Sequence, residues 1–177
     1  EILHDRFKED GIPRLDLAIA MDDAVLLRDW FCGRIVDLSM RVSDAPITSF
    51  ALAPAWRMEL SAPQTTVGQL ALAYAVGKNA LACVSFLAED VAVCGRPSAA
   101  DALSPRLDVD ARGRVREFLE ADVVSARRGV ARLRLAGGAN LMHVVAARPG
   151  TELALRWLLD VRRSLAAMPR DDGLSPV

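Results

Sequence analysis

Lysine is nearly missing from this chain: Lys8 and Lys78 are the only two, and every other basic residue apart from histidine is arginine. Tyrosine occurs once, as Tyr74, histidine twice, as His4 and His143, and cysteine three times, as Cys32, Cys83 and Cys94. Three widely spaced cysteines in apolar runs exclude a disulfide framework and give no zinc spacing, so they read as small buried hydrophobes in a reducing compartment. Two distant histidines make no ligand cluster, and no metal is expected. Residues Glu1 to Asp10 are charged and lack an apolar stretch, so no secretory signal is expected and a cytoplasmic location is. Twenty-two basic against twenty-three acidic residues leave a net charge of −1, which excludes a global field towards nucleic acid or an anionic membrane. Aromatic residues are too sparse for a base-stacking platform.

What the chain has in quantity is apolar surface. At 177 residues and 52% hydrophobic, much of it alanine, it is long enough for one core and too apolar for a disordered chain, so a single globular domain over residues 1–169 is expected. The preference for arginine reflects a GC-rich genome and fits a bacterial cytosolic protein. The apolar run Val67 to Ala88 is long enough to cross a bilayer, but Lys78 and Asn79 stand at its centre, at a cost of roughly 3 kcal/mol for the lysine on insertion scales. A buried core helix is the better reading, and no membrane partner is expected.

Periodicity supplies the elements. Arg14 to Ala20 alternates through Leu15, Leu17 and Ile19 and reads as a strand. Asp22 or Asp23 then caps a helix ending near Gly33. Arg34 to Val42 alternates again, with Val36, Leu38, Met40 and Val42 on one side, and Trp56 to Leu60 forms another short strand in a proline-rich loop. Thr65 or Thr66 caps the longest helix, which runs unbroken to about Asp90 and is apolar around most of its circumference. In the second half, Leu107 to Val115 reads as a hairpin, and Val130 to Leu135 and Leu141 to Ala147 as strands joined by a turn at Gly137-Gly138. Thr151 caps a last amphipathic helix carrying Leu155, Leu158, Leu159 and Leu165, Pro169 stops it, and residues 170–177 form a mobile tail. The expected fold is therefore α/β or α+β, with the central buried helix and the C-terminal helix packed on a partly antiparallel sheet.

Tyr74 and Lys78 are four positions apart, hence neighbours on one helix face. An ammonium beside a phenol lowers the phenol's pKa and makes it a usable acid or base near neutral pH. Thirteen residues upstream stands Ser61, at the end of the Trp56 to Leu60 segment. Together, Ser61, Tyr74-Ala-Val-Gly-Lys78-Asn-Ala-Leu81 and Leu87-Ala-Glu-Asp90 resemble the catalytic segment of short-chain dehydrogenases. The resemblance implies Tyr74 as proton donor, Ser61 as holder of the substrate carbonyl, Lys78 on the nicotinamide ribose, NAD or NADP as cofactor, and a doubly wound Rossmann fold. It spans only Ser61 to Asp90, and residues 1–60 contain no glycine-rich turn to receive the cofactor pyrophosphate.

Other candidates read more simply. Cys32 with His143 is the material of a nucleophile and base, but no spacing requires it. Arg112, Arg114, Arg116, Arg132 and Arg134 alternate with acidic residues and read as a mixed solvated face. The first reading is thus a non-catalytic ligand-binding or protein-interaction domain, with a small molecule, a protein or a second copy of the chain as partner, and with an apolar groove near Leu155, Trp157 and Leu158 as its mark. The alternative is an NAD(P)-dependent oxidoreductase built on Ser61, Tyr74 and Lys78, and a third is a hydrolase or transferase built on Cys32 and His143.

Overall fold

The structure is a computed structural model that describes residues 8–9, 12–33, 35–38, 40–45, 51–52, 56, 59–88 and 133–176. These residues are mostly helical, which corrects the expected sheet. Among them the only ladder is a pair of two-residue strands, β1 (Lys8–Glu9) antiparallel to β2 (Ile12–Pro13). The expected hairpin at 107–115 lies outside the described residues.

The segment expected as the first strand is helix α1, Leu15–Ala20. Its burial gives the reason: Leu15, Ala18 and Ile19 face the core at helical spacing, while Leu17 is 42% exposed. The alternation of the three large residues was a coincidence that Ala18 corrects, since alanine carries helix preference and little hydrophobic signal. Helix α2, Ala24–Cys32, begins as expected, with Asp23 Oδ1 accepting from Leu26 N at 3.0 Å, and ends at Gly33. It buries Leu26, Leu27 and Trp30.

The described residues of the next expected strand lie in turns and bends rather than in a sheet, yet its inward set is kept: Val36, Leu38 and Val42 are buried. Its carbonyls do other work than pairing with a neighbouring strand. Met40 O accepts from Val67 N and Leu38 O from Gly68 N, both at 2.8 Å, so this segment satisfies amides in the first turn of helix α3, Val67–Gly77. Thr66 completes that end as a capping box with Gln69. In the Trp56 to Leu60 segment the described positions, 56, 59 and 60, are helical rather than extended.

The expected long rod is two helices. After α3 the chain breaks at Lys78, Asn79 and Ala80 and restarts as helix α4, Leu81–Leu87; positions 89 and 90 lie outside the described residues. Asn79 has φ +57°, a left-handed conformation that asparagine tolerates better than most side chains. Its amide oxygen accepts from Ala154 N at 2.8 Å. The N-terminus of α4 has no cap of its own and is held by Asp22, likewise at positive φ (+53°), whose carboxylate accepts from Cys83 N at 2.9 Å and Ala82 N at 3.3 Å.

Leu141 to Ala147, expected as a strand, forms helix α5, Leu141–Ala146, because Asn140 starts a helix there: its side chain accepts from Met142 N and His143 N. Gly137 and Gly138, with φ of +65° and +72°, belong to a short 3-10 turn ahead of it rather than to a hairpin. Helix α6, Glu152–Arg162, starts after Thr151 as expected and passes into a 3-10 turn, Arg163–Ala167, before Pro169. Thr151 does not cap α6 through its side chain; its hydroxyl donates to Arg148 O at 3.1 Å. The segment after Pro169 turns back, with Asp171 N donating to Gly137 O at 2.9 Å. Helix α3 is the centre of the packing, touching α1, α4 and α5, while α6 rests on α4 and α5. Among the described residues no helix is long and apolar enough to cross a membrane.

Candidate functional site

Tyr74 and Lys78 meet, but not at the phenol oxygen. Lys78 is the C-cap of α3, and its Nζ lies over the Tyr74 ring, 5.5 Å from the centroid, in a cation–π contact with the lysine itself exposed. Tyr74 is 6% exposed and takes the edge of Trp56 at 4.9 Å and 78°. Burial raises the phenol's pKa above its usual 10.0, the Asp16 carboxylate raises it further, and Arg14 opposes them. Arg14 is itself bound to Asp16 by two hydrogen bonds of 3.0 Å. The phenol therefore stays protonated at neutral pH, the reverse of what a lysine beside its oxygen would produce.

Ser61 is not brought into a hydrogen bond with either residue: its Oγ is buried and has no partner among the described residues. A buried hydroxyl left unpaired costs roughly 1–3 kcal/mol. The side chain of Cys32 lies outside the described residues. Cys83 is buried, and burial, with the Asp22 carboxylate beside it, pushes its thiol well above the usual thiol range, so it is not a nucleophile near neutral pH. His143 is occupied in helix capping. Its Nδ1 accepts from Asn140 N at 3.2 Å, which leaves the proton on Nε2 to donate to Leu174 O at 3.1 Å. Among the described residues no three histidine, cysteine, aspartate or glutamate side chains are placed to hold a metal.

The structure adds a feature that the sequence pattern did not show. Arg148, in the bend between α5 and α6, places its guanidinium over Trp56 at 3.7 Å from the ring centroid, so Arg148, Trp56, Tyr74 and Lys78 form one continuous row of contacts. Gly77 makes room for it: a Cβ there would lie 2.2 Å from the Trp56 ring and 3.1 Å from Arg148 Cδ. Beside Arg148 opens a hollow of about 240 Å³, lined by Met142, Val145, Ala146, Gly150 and Leu155 and mostly by carbon. A second, more polar hollow of about 500 Å³ lies between Gln64, Arg134, the Gly137–Gly138 turn and Asp171. The placement of Arg148 on Trp56 had no local signal in the sequence.

Compared with known proteins, the chain matches no family model, and neither a curated protein nor a solved structure shows significant similarity to it.

Proposed function

We propose that this chain is a non-catalytic binding domain whose ligand seat is the apolar hollow between α5 and α6. One observation carries the reading: a carbon-lined concavity next to the last helix, with Leu155 in its wall and a single basic side chain at its edge. Its volume, about 240 Å³, is below the roughly 300–1,000 Å³ of pockets that take drug-sized ligands. It suits a small molecule of about ten heavy atoms or one apolar side chain of a protein partner.

The oxidoreductase reading keeps one supporting observation, the proximity of Tyr74 and Lys78. Against it stand the raised phenol pKa and the position of the ammonium over the ring face. An amide-resolved NMR titration with phenylacetamide, a small apolar probe, tests the binding reading. Resonances of Val145, Ala146 and Leu155 shift together, and Ala146→Trp, which fills the hollow from an exposed position, abolishes the shifts at unchanged melting temperature. Absence of shifts in that cluster with every apolar fragment tried, or quenching by NADH at submillimolar concentration, overturns it.

A further inference from the structure

We infer that the ligand of the α5–α6 hollow is a small apolar carboxylic acid, held by Arg148 through its head group and by Met142, Val145 and Leu155 through its body. The inference rests on the binding reading above and adds the charge of the ligand.

Arg148 carries the inference. Its side chain is only 20% exposed, and its guanidinium lies over Trp56. Among the described residues its ionic neighbour is Glu59, which is 63% exposed and stands at 3.7 Å, beyond hydrogen-bond distance. The aliphatic stem is fixed over Gly77, so the planar fork is already oriented when a ligand arrives. A guanidinium that makes no hydrogen bond to the described residues, on a side chain that lines a carbon-lined hollow, is complementary to a molecule with a carboxylate at one end and hydrocarbon at the other. Glu152 is also at the edge; its exposed negative charge turns the acid's head group towards Arg148.

The test compares matched pairs on the full chain by NMR titration: phenylacetate against phenylacetamide, and hexanoate against hexan-1-ol. The acids bind with Kd of about 0.1–1 mM, as ligands of eight to ten heavy atoms do, and the neutral analogues about tenfold more weakly. Arg148→Gln brings the acids down to the affinity of their neutral analogues, so that the members of each pair bind alike. Glu59→Gln, at an exposed position with little effect on folding, strengthens acid binding about twofold by removing the competing charge. Equal binding of acid and amide by the natural chain, or an acid preference that survives Arg148→Gln, overturns the carboxylate assignment while leaving the seat itself intact. Failure of all four compounds to shift Val145, Ala146 and Leu155 overturns the binding reading and this inference with it.

Discussion

Among the described helices whose first turn is held by a side-chain oxygen, two kinds of start occur, and they differ in where the cap comes from. Helices α2, α3 and α5 are capped by the residue directly before them: Asp23, Thr66 and Asn140. Helices α4 and α6 receive their side-chain oxygen from elsewhere in the chain: Asp22 reaches Cys83, and Asn79 reaches Ala154, 75 residues away in sequence. Both residues that supply a remote acceptor, Asp22 and Asn79, are the non-glycine residues at positive φ among the described residues. A left-handed residue reverses the chain direction and turns its side chain away from its own helix, which frees it for a neighbour. Local caps make a helix start; remote caps also fix how helices sit against one another.

This contrast can be broken at its strongest point with Asn79→Ala. It removes the bond to Ala154 N and places a Cβ-bearing residue without a compensating amide at φ +57°, for an expected loss of about 2–3 kcal/mol in urea denaturation. Asn79→Gly separates the two effects: it loses the bond but relaxes the backbone, and should cost about 1 kcal/mol. Equal losses for the two variants would show that the remote cap, not the conformation, dominates. Asp22→Ala comes next, at about 2 kcal/mol, with protection from amide exchange lost first at Ala82 and Cys83. Thr66→Ala, which breaks only the local box with Gln69, should cost about 1 kcal/mol and leave exchange in the other helices unchanged. The smallest effect concerns Tyr74. Its folded pKa is raised above the unfolded value, so its contribution to stability is complete below pH 10 and is lost as pH rises through the higher folded value. Tyrosinate absorbance should appear later in the folded chain than in urea, and Tyr74→Phe should flatten the alkaline loss of stability.

The same contrast explains how much of the fold was legible in the sequence. Asp23, Thr66, the end of α2 at Gly33 and the burial of most of residues 67–87 are local facts, written in a few adjacent residues, and the structure has them where the pattern put them. The break at Lys78 to Ala80 was not legible, because Asn79 is chosen for a partner in α6 that no window around it contains. The segments at Leu15–Ala20 and Leu141–Ala146 fit the period of a strand as well as that of a helix, because each is a short window with one polar residue among apolar ones. In the candidate site, the approach of Lys78 to Tyr74 followed from their spacing of four. The placement of Trp56 and Arg148 did not, since it depends on an opening at Gly77 that only the packed molecule has.

Ala154, whose amide Asn79 holds, stands directly before Leu155 in the wall of the hollow. The joint between α3 and α4 and one side of the hollow are therefore linked by a hydrogen bond as well as by the packing of α6 on α4. A molecule that tightens the hollow must slow hydrogen exchange at Ala154, and a loosened joint must enlarge the opening. The interruption in the middle of the most apolar stretch of the chain thus ties the joint of two core helices to the rim of a surface concavity.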